Sequence, residues 1–342
     1  MAGLFAAVII SLTAIIFCVT TTGARADDFY KNKQIRIISS SGPGVLYDLY
    51  SRLLARHLPR HIPGAPSIVV TNMVGAGGVV ATNYVANVAP RDGTVLAGPH
   101  SNVPTAPLTT PDVVKFDANQ LSWIGSITKE PLVAYVWHAA PVHSLAELRT
   151  RDVTMGGTSA GAAGVDITRL AVGLFDLKIK LVAGYKASSD IRLAMERGEV
   201  HGTFANSWGD LQTTSQDWIK EGKVRVIGQH SLQRHHELKN VPLLIDLATN
   251  DNDRQAVRFA LAVRQEASKP YLAPPGIPKE RLETLRRAFD ATMKDPQFLA
   301  EAKASRLPVD GPLTGEELAL LVTQVHQTPR AVADRVLKLI AK

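Results

Sequence analysis

The 342-residue chain is 45% hydrophobic and 20% charged, an ordinary globular composition that can bury a large core and fits two domains better than one. Its formal net charge of +7 favours acidic small molecules as partners. The Lys and Arg residues are scattered and interleaved with acids, as in RLETLRRAFDATMKD, which excludes the basic stripe of a nucleic-acid binder.

An almost unbroken apolar run over residues 4–19 is followed by Ala24-Arg25-Ala26, the small-x-small pattern that precedes signal-peptidase cleavage. The expectation is a signal peptide over 1–26, a mature chain starting at Asp27 and a periplasmic location. Cleavage removes Arg25 and no acid, so the charge falls from +7 to +6. No Lys or Arg precedes the run, and a retained membrane anchor is the alternative. Cys18, the only cysteine, lies inside the run, so the mature chain would hold no thiol or disulfide. Ile16 and Phe17 are too bulky for the small residues expected before a lipidated cysteine.

Residues 35–48, IRIISSSGPGVLYD, read as strand, turn and helix start. Ile35, Ile37 and Ile38 suit a buried strand, Gly42, Pro43 and Gly44 a turn, and Leu49, Leu53, Leu54 and Leu58 a helix. The pattern repeats: SIVVTN (67–72) leads into Gly75-Ala76-Gly77-Gly78 and a helix through Val79, Val80, Tyr84, Val85 and Val88. A third short strand, 94–97, ends at Gly98-Pro99-His100-Ser101-Asn102. Parallel βαβ units place such strand ends and helix starts on one sheet edge, where a helix start offers free backbone N–H groups to an anion.

Residues 103–122, with Pro104, Pro107 and Pro111, read as an irregular connection to a long apolar strand over 132–137, and a domain boundary falls nearby. Ser144 and Glu147 have capping-box spacing and should start a helix. The first architecture then returns: strand 152–155, glycine turn GGTSAGAAG (156–164), helix from Asp166, strand 179–183, the turn Gly184-Tyr185-Lys186 and a helix over 190–197. A helix end and a strand share 198–204, and KVRVIG (223–228) is a further strand. RFALAV (258–263) reads as the strand returning the chain to the first domain, and Pro274-Pro275-Gly276-Ile277-Pro278 precedes a helix over 279–293. The last helix starts at a second capping box, Thr314 with Glu317. The fold class is therefore α/β, with two domains, each a mostly parallel sheet flanked by helices. Their expected extents are 27–131 plus 260–342 for domain 1 and 132–259 for domain 2.

In order and spacing, these segments resemble the Bug or TctC-type extracytoplasmic solute receptors, the substrate-binding components of bacterial tripartite tricarboxylate transporters. The resemblance covers nearly the whole mature chain. It is carried by GPGVLYDLYSRLLARHL (42–58), VVTNMVGAGG (69–78), ANVAPRDGTVLAG (86–98), the turn 156–164, GYKASSDIRLAMERGEVHG (184–202), LKNVPLLIDLA (238–248) and APPGIPKERLETLRRAFD (273–290).

The resemblance implies a type II-like Venus flytrap, in which a small organic carboxylate lies in the interdomain cleft on helix-start amides and bridging waters. It further implies delivery to the membrane permease subunits of a tripartite transporter, a monomer, and no catalysis, cofactor or metal. Carried over residue by residue, the first-domain contacts are Ser40, Ser41, Gly42, Gly44, Asp48, Ala76, Gly77, Gly78 and Ser101. Those of the second domain are Thr158, Ser159, Ala160, Gly161 and Tyr185. Asn206 and Trp208 join them because they follow a strand that should end at the cleft. The chain departs from the family pattern at Val45 and Leu46, where glycines are common, and at Ala187 after Tyr185-Lys186. Fewer glycines wrap an anion less closely, which favours a monocarboxylate or aromatic acid over a tricarboxylate.

Other readings compete. Gly157-Thr158-Ser159-Ala160-Gly161 matches the G-x-S-x-G nucleophile elbow, and Asp246 and His326 lie downstream, so a serine hydrolase is the enzyme alternative. A helix-start loop of Gly, Ser and Thr is equally what anion binding needs, and no HGGG-type segment is present. A ligand sensor for a signalling system is the third reading. His57 and His61 are four apart, but Pro59 breaks a shared metal-binding face, and His235-His236 reads as a wet loop. Asp48 caps loop amides or touches ligand, Lys186 reaches an anion or is solvated, and Trp208 packs beside the hinge in preference to stacking on ligand.

Overall fold

A computed structural model describes residues 29–158 and 162–341 of the chain. The expected signal segment and three expected contacts, Ser159, Ala160 and Gly161, lie outside the described residues.

The isoleucine-rich stretch forms β1 (Gln34–Ser39), with Ile35, Ile37 and Ile38 fully buried. It turns into α1 (Leu46–His57), where Tyr50, Leu53, Leu54 and His57 recur three and four apart and make the buried face. β2 (Ser67–Asn72), α2 (Val79–Asn87) and β3 (Val95–Gly98) repeat the unit, and β1 pairs in parallel with both β2 and β3. The short α3 (Ala106–Thr109) then leads to β4 (Ser122–Ser126), a fully buried strand that the sequence pattern does not announce.

The second sheet begins at β5 (Leu132–Trp137). Next come β6 (Val153–Gly157), α4 (Ala163–Phe175), β7 (Ile179–Ala183), α5 (Ser188–Glu196), β8 (Gly202–Ser207), α6 (Trp208–Thr214), α7 (Gln216–Lys220) and β9 (Val224–His230). Glu147 does donate its N–H to Ser144 Oγ at 3.4 Å, yet only one 3₁₀ turn, Ala146–Arg149, forms there. The rest of the chain is α8 (Asp251–Glu266), β10 (Pro270–Ala273), α9 (Lys279–Met293), α10 (Pro296–Ala304), β11 (Leu313–Thr314), α11 (Gly315–His326) and α12 (Arg330–Ile340).

The two sheets run β11-β4-β10-β3-β1-β2 and β7-β6-β8-β5-β9. Parallel ladders join β1 to β2 and β3, and β6 to β7 and β8. The remaining pairs are antiparallel, because β4, β5 and β10, which flank the crossings between domains, run against their neighbours. The architecture is thus two-domain α/β as expected, with mixed sheets.

Two sequence readings are corrected. RFALAV lies inside α8, where Asp253, Ala256, Val257 and Leu261 keep helical spacing and Asn250 Oδ1 caps the start by accepting the Asp253 N–H at 2.9 Å. The returning strand is β10. The helix that starts at Thr314 is succeeded by another, α12, which packs on α4 and α8 of the second domain.

The Thr314 capping box is formed in full. Thr314 Oγ1 accepts the Glu317 N–H at 3.2 Å, and Glu317 Oε2 accepts the Thr314 N–H at 2.8 Å. Thr314→Ala is expected to cost about 1 kcal/mol, read as a lower urea midpoint at unchanged slope. An unmoved midpoint would show that the cap contributes nothing.

Two connecting segments carry the chain between domains, side by side. Ile127 N–H donates to Lys269 O at 3.0 Å, Ser268 N–H to Thr128 O at 3.1 Å, and Glu130 N–H to Gln265 O at 2.9 Å.

Candidate functional site

Because β1, β2 and β3 are parallel, the loops after them share one edge of the first sheet. Side chains lock the three together. Ser40 Oγ donates to Gly98 O at 3.0 Å, tying the loop after β1 to β3. Asn72, the last residue of β2, donates through Nδ2 to Ser41 O and to Asp48 Oδ1, both at 2.7 Å. Ser41 Oγ lies 2.9 Å from His100 Nε2, and the His100 ring stacks on Tyr47 at 4.3 Å. Tyr47 in turn takes the Ser101 N–H on its hydroxyl at 3.2 Å.

Gly78 sits where the loops crowd. Its φ is +92°, and a Cβ there would stand 3.0 Å from His100 N and 3.1 Å from Ser40 Oγ. Ala76, Gly77 and Gly78 all have positive φ, and the Gly78 N–H closes the turn onto Gly75 O at 2.9 Å before α2 begins. Among the described residues, the Ala76 and Gly77 amides have no hydrogen-bond partner. The first-turn amides of Leu46 and Tyr47 at the start of α1 likewise lack a side-chain cap.

Asp48 is fully buried and engaged from three sides: Gly44 N–H at 2.8 Å, Arg52 Nε at 2.8 Å and Asn72. Burial pushes its carboxyl up, but the bonds from Arg52, Gly44 and Asn72 outweigh that and hold it below the usual range. The structure thus gives Asp48 the capping role.

Lys269, 3% exposed, stands behind this wall. Its Nζ is 3.1 Å from Glu130 Oε2 and lies over the Tyr47 and Tyr50 rings at 4.9 and 5.5 Å. Burial alone would raise the Glu130 carboxyl; Lys269, Ser268 and Ser207 more than offset it and keep the acid ionised. Burial and then the Lys269 charge push the His100 imidazole down, so the Ser41–His100 contact is one between neutral groups near pH 7. The formal charges of this wall therefore form two internal pairs, Asp48 with Arg52 and Glu130 with Lys269, while the amides at 46–47 and 76–77 have no partner among the described residues.

In the second domain the loops after β6, β7 and β8 share an edge in the same way. Gly184 N–H donates to Thr158 O at 2.8 Å and Tyr185 N–H to Gly157 O at 3.3 Å, joining the first two loops. Asn206 is bonded to Ser188, Tyr135 and Asp210, and Asp210 also pairs with Arg192 at 2.9 Å. Trp208 is buried and donates Nε1 to Glu237 Oε2 at 2.7 Å, which is the packing role. Lys186 is exposed.

The domains meet around a cavity of about 600 Å³, lined by Leu46 and Tyr50 from the first, Trp208 and Asp210 from the second, and Glu130 and Lys269 from the crossing segments. Among the described residues, Trp208 is the one expected contact that lines it; Leu46, 42% exposed, adds an apolar rim. Tyr47, Asn72, His100, Glu130 and Lys269 were missed by the sequence reading. The first three adjoin expected residues and carry hydrogen-bonding groups, a usable signal, but Lys269 lies beyond a stretch misread as the returning strand.

The hydrolase reading finds no support in its proposed partners. Asp246 accepts from Arg234 and the Leu243 N–H, whereas His326 is bonded to Pro104 O at 2.8 Å. His57 and His61 pair separately with Glu301 and Asp295. The loop around His235-His236 is exposed at Arg234, His236 and Glu237, as expected, but the His235 ring is 10% exposed and lies 2.6 Å from Asp310.

Residues 52–309 match the family described as tripartite tricarboxylate transporter family receptor. A UPF0065 protein of Bordetella pertussis is 23% identical over 297 residues, 84% of each chain. A crystal structure of a TctC solute binding protein from Polaromonas, at 17% identity, superposes with a TM-score of 0.71 over 90% of this chain and 99% of that one. An R. palustris protein with adipate gives 0.56 at 19% identity, over 90% and 97%. These likenesses extend to the two-domain fold built above.

Proposed function

The chain belongs to the tripartite tricarboxylate transporter family receptors, and on that premise we propose that it is a periplasmic receptor that captures a small organic carboxylate between its domains. The family is one of solute-binding receptors, not enzymes. In the proposed reading the chain is a monomer of domains 27–131 plus 260–342 and 132–259, with α8 straddling the second boundary. Residues 1–26 are a leader removed on export, and the loaded form is read by permease subunits. Among the described residues, no helix is long and apolar enough to cross a membrane.

The observation that carries the ligand class is the combination of unpartnered amides at 46–47 and 76–77 with formal charges already neutralised within the wall. Such a surface attracts an anion through oriented N–H dipoles without a matching cation. The adipate in the R. palustris structure supports a carboxylate. Ligand would touch both domains and so favour the shut arrangement.

The test is a thermal-shift screen of purified protein against mono-, di- and tricarboxylates, with neutral sugars and amino acids as controls. At a hundred times its dissociation constant, a ligand should add about 2.7 kcal/mol, a rise of a few degrees. Stabilisation by neutral compounds alone would overturn the reading.

A further inference from the structure

The segment after β9 and the segment between α10 and β11 bring three metal-binding side chains together at the domain junction. One ligand atom from each of His235, His236 and Asp310 lies within 4.8 Å of the others. His235 Nε2 and Asp310 Oδ2 are 2.6 Å apart, and the two imidazole rings are 4.2 Å apart at 39°. We propose that His235, His236 and Asp310 bind one divalent transition-metal ion of the zinc type, bridging the two domains. Two imidazoles and one carboxylate are a donor set that suits zinc, and a tetrahedral ion with bonds near 2 Å needs donors about 3.4 Å apart. Binding would open the 2.6 Å His235–Asp310 contact and draw together the donors that now lie up to 4.8 Å apart.

The backbone on both sides is held in place beforehand. Asp310 donates its N–H to Thr128 Oγ1 at 3.1 Å, and its carbonyl accepts the Lys129 N–H at 2.7 Å. His235 donates its N–H to the buried Gln229 Oε1 at 2.8 Å, and Gln229 Nε2 donates to Leu238 O and Val241 O. Behind the imidazole, Glu237 Oε2 is 3.8 Å from His235 Nδ1 and is itself fixed by Trp208 and Gln212. His235 Nδ1 accepts the Glu237 backbone N–H at 3.3 Å, which holds the ring with Nε2 toward Asp310. The nearby cation Lys129 is paired with Glu266 at 2.9 Å, which lessens its repulsion of an ion. All three ligands face the 600 Å³ cavity and a second one of about 230 Å³, so an ion has a way in and room for water in its remaining position.

Zinc titration by calorimetry of the purified, chelator-treated protein tests this without any knowledge of its solute. The expected result is one zinc per chain, weakened at least tenfold by His236→Ala and by Asp310→Asn. The His236 side chain makes no hydrogen bond among the described residues, so its removal should leave the metal-free melting temperature unchanged. Cobalt(II) should give a visible ligand-field band in the parent that both variants lose. Zinc binding unaltered in either variant, or absent from the parent at micromolar concentration, would overturn the proposal.

Discussion

Asp48→Asn is expected to weaken carboxylate binding by about a hundredfold while costing about 2 kcal/mol of stability. The carboxylate accepts from Gly44, Arg52 and Asn72 at once. An amide of the same shape must turn its NH₂ toward at least one of these donors, leaving that group unpaired beside a buried site. Gly44 is exposed and Arg52 half-exposed, so water satisfies part of what is lost and the stability cost stays moderate. Binding suffers more, because Asp48 couples the loop after β1 to the end of β2, and freeing them adds an ordering cost to every binding event. The check is titration of the best carboxylate from the thermal-shift screen into parent and variant. Equal affinities would mean that the cradle does not depend on this lock.

Acid is expected to destabilise the protein through His230. The imidazole is completely buried in β9, where one nitrogen contacts Phe204 O at 2.5 Å and Nδ1 has no partner. The group opposite is a carbonyl, so the contacting Nε2 carries the proton and the ring is neutral. Burial lowers its pKa from 6.5 to about 4, the carbonyl bond opposing. The unfolded chain therefore takes up a proton between pH 6.5 and 4 that the folded chain refuses. The stability is present in full above pH 6.5 and is lost as pH falls toward 4, by about 3 kcal/mol. His230→Gln keeps an N–H donor but cannot titrate, so its urea-unfolding free energy should fall less over this range. NMR of labelled histidine should show an imidazole still neutral at pH 5 that is absent from the His230→Gln spectrum. If every imidazole titrates near 6.5, the expectation fails.

What could be read from the sequence was local. The switch from alternating apolar residues to helical spacing across a glycine turn placed β1 and α1, β2 and α2, β6 and α4, and β7 and α5, since both signals lie within a dozen residues. RFALAV misled because six residues with an aromatic and two small apolar residues alternate well enough for a strand. The helical stripe shows only when the window extends back to Asp253 and the Asn250 cap. β4 escaped because Ser122, Gly125 and Ser126 carry no hydrophobic signal, although all three are buried. At the site, glycines and serines pointed to the right loops. That Asp48 is consumed internally by Asn72, or that Lys269 lies behind Tyr47, depends on contacts between segments 24 and 222 residues apart, which no local pattern encodes.

The packing of α11 and α12 limits how the two domains can move. Leu170 of α4 and Phe259 of α8 share one apolar cluster with Val325 of α11 and with Val332, Ala333 and Val336 of α12. α11 also reaches the first core through Leu318 and Val322, and α4 and α8 reach the second through Ile167, Ala171, Val257 and Leu261. Prising the halves apart would wet this cluster at a cost on the order of 10 kcal/mol, more than the few kcal/mol that separate open and shut forms. Motion that keeps this cluster packed is a shallow roll of helix over helix, like a bearing that stays greased. In the proposed receptor, a ligand would shift such rotations only by as much as its affinity differs between the two arrangements.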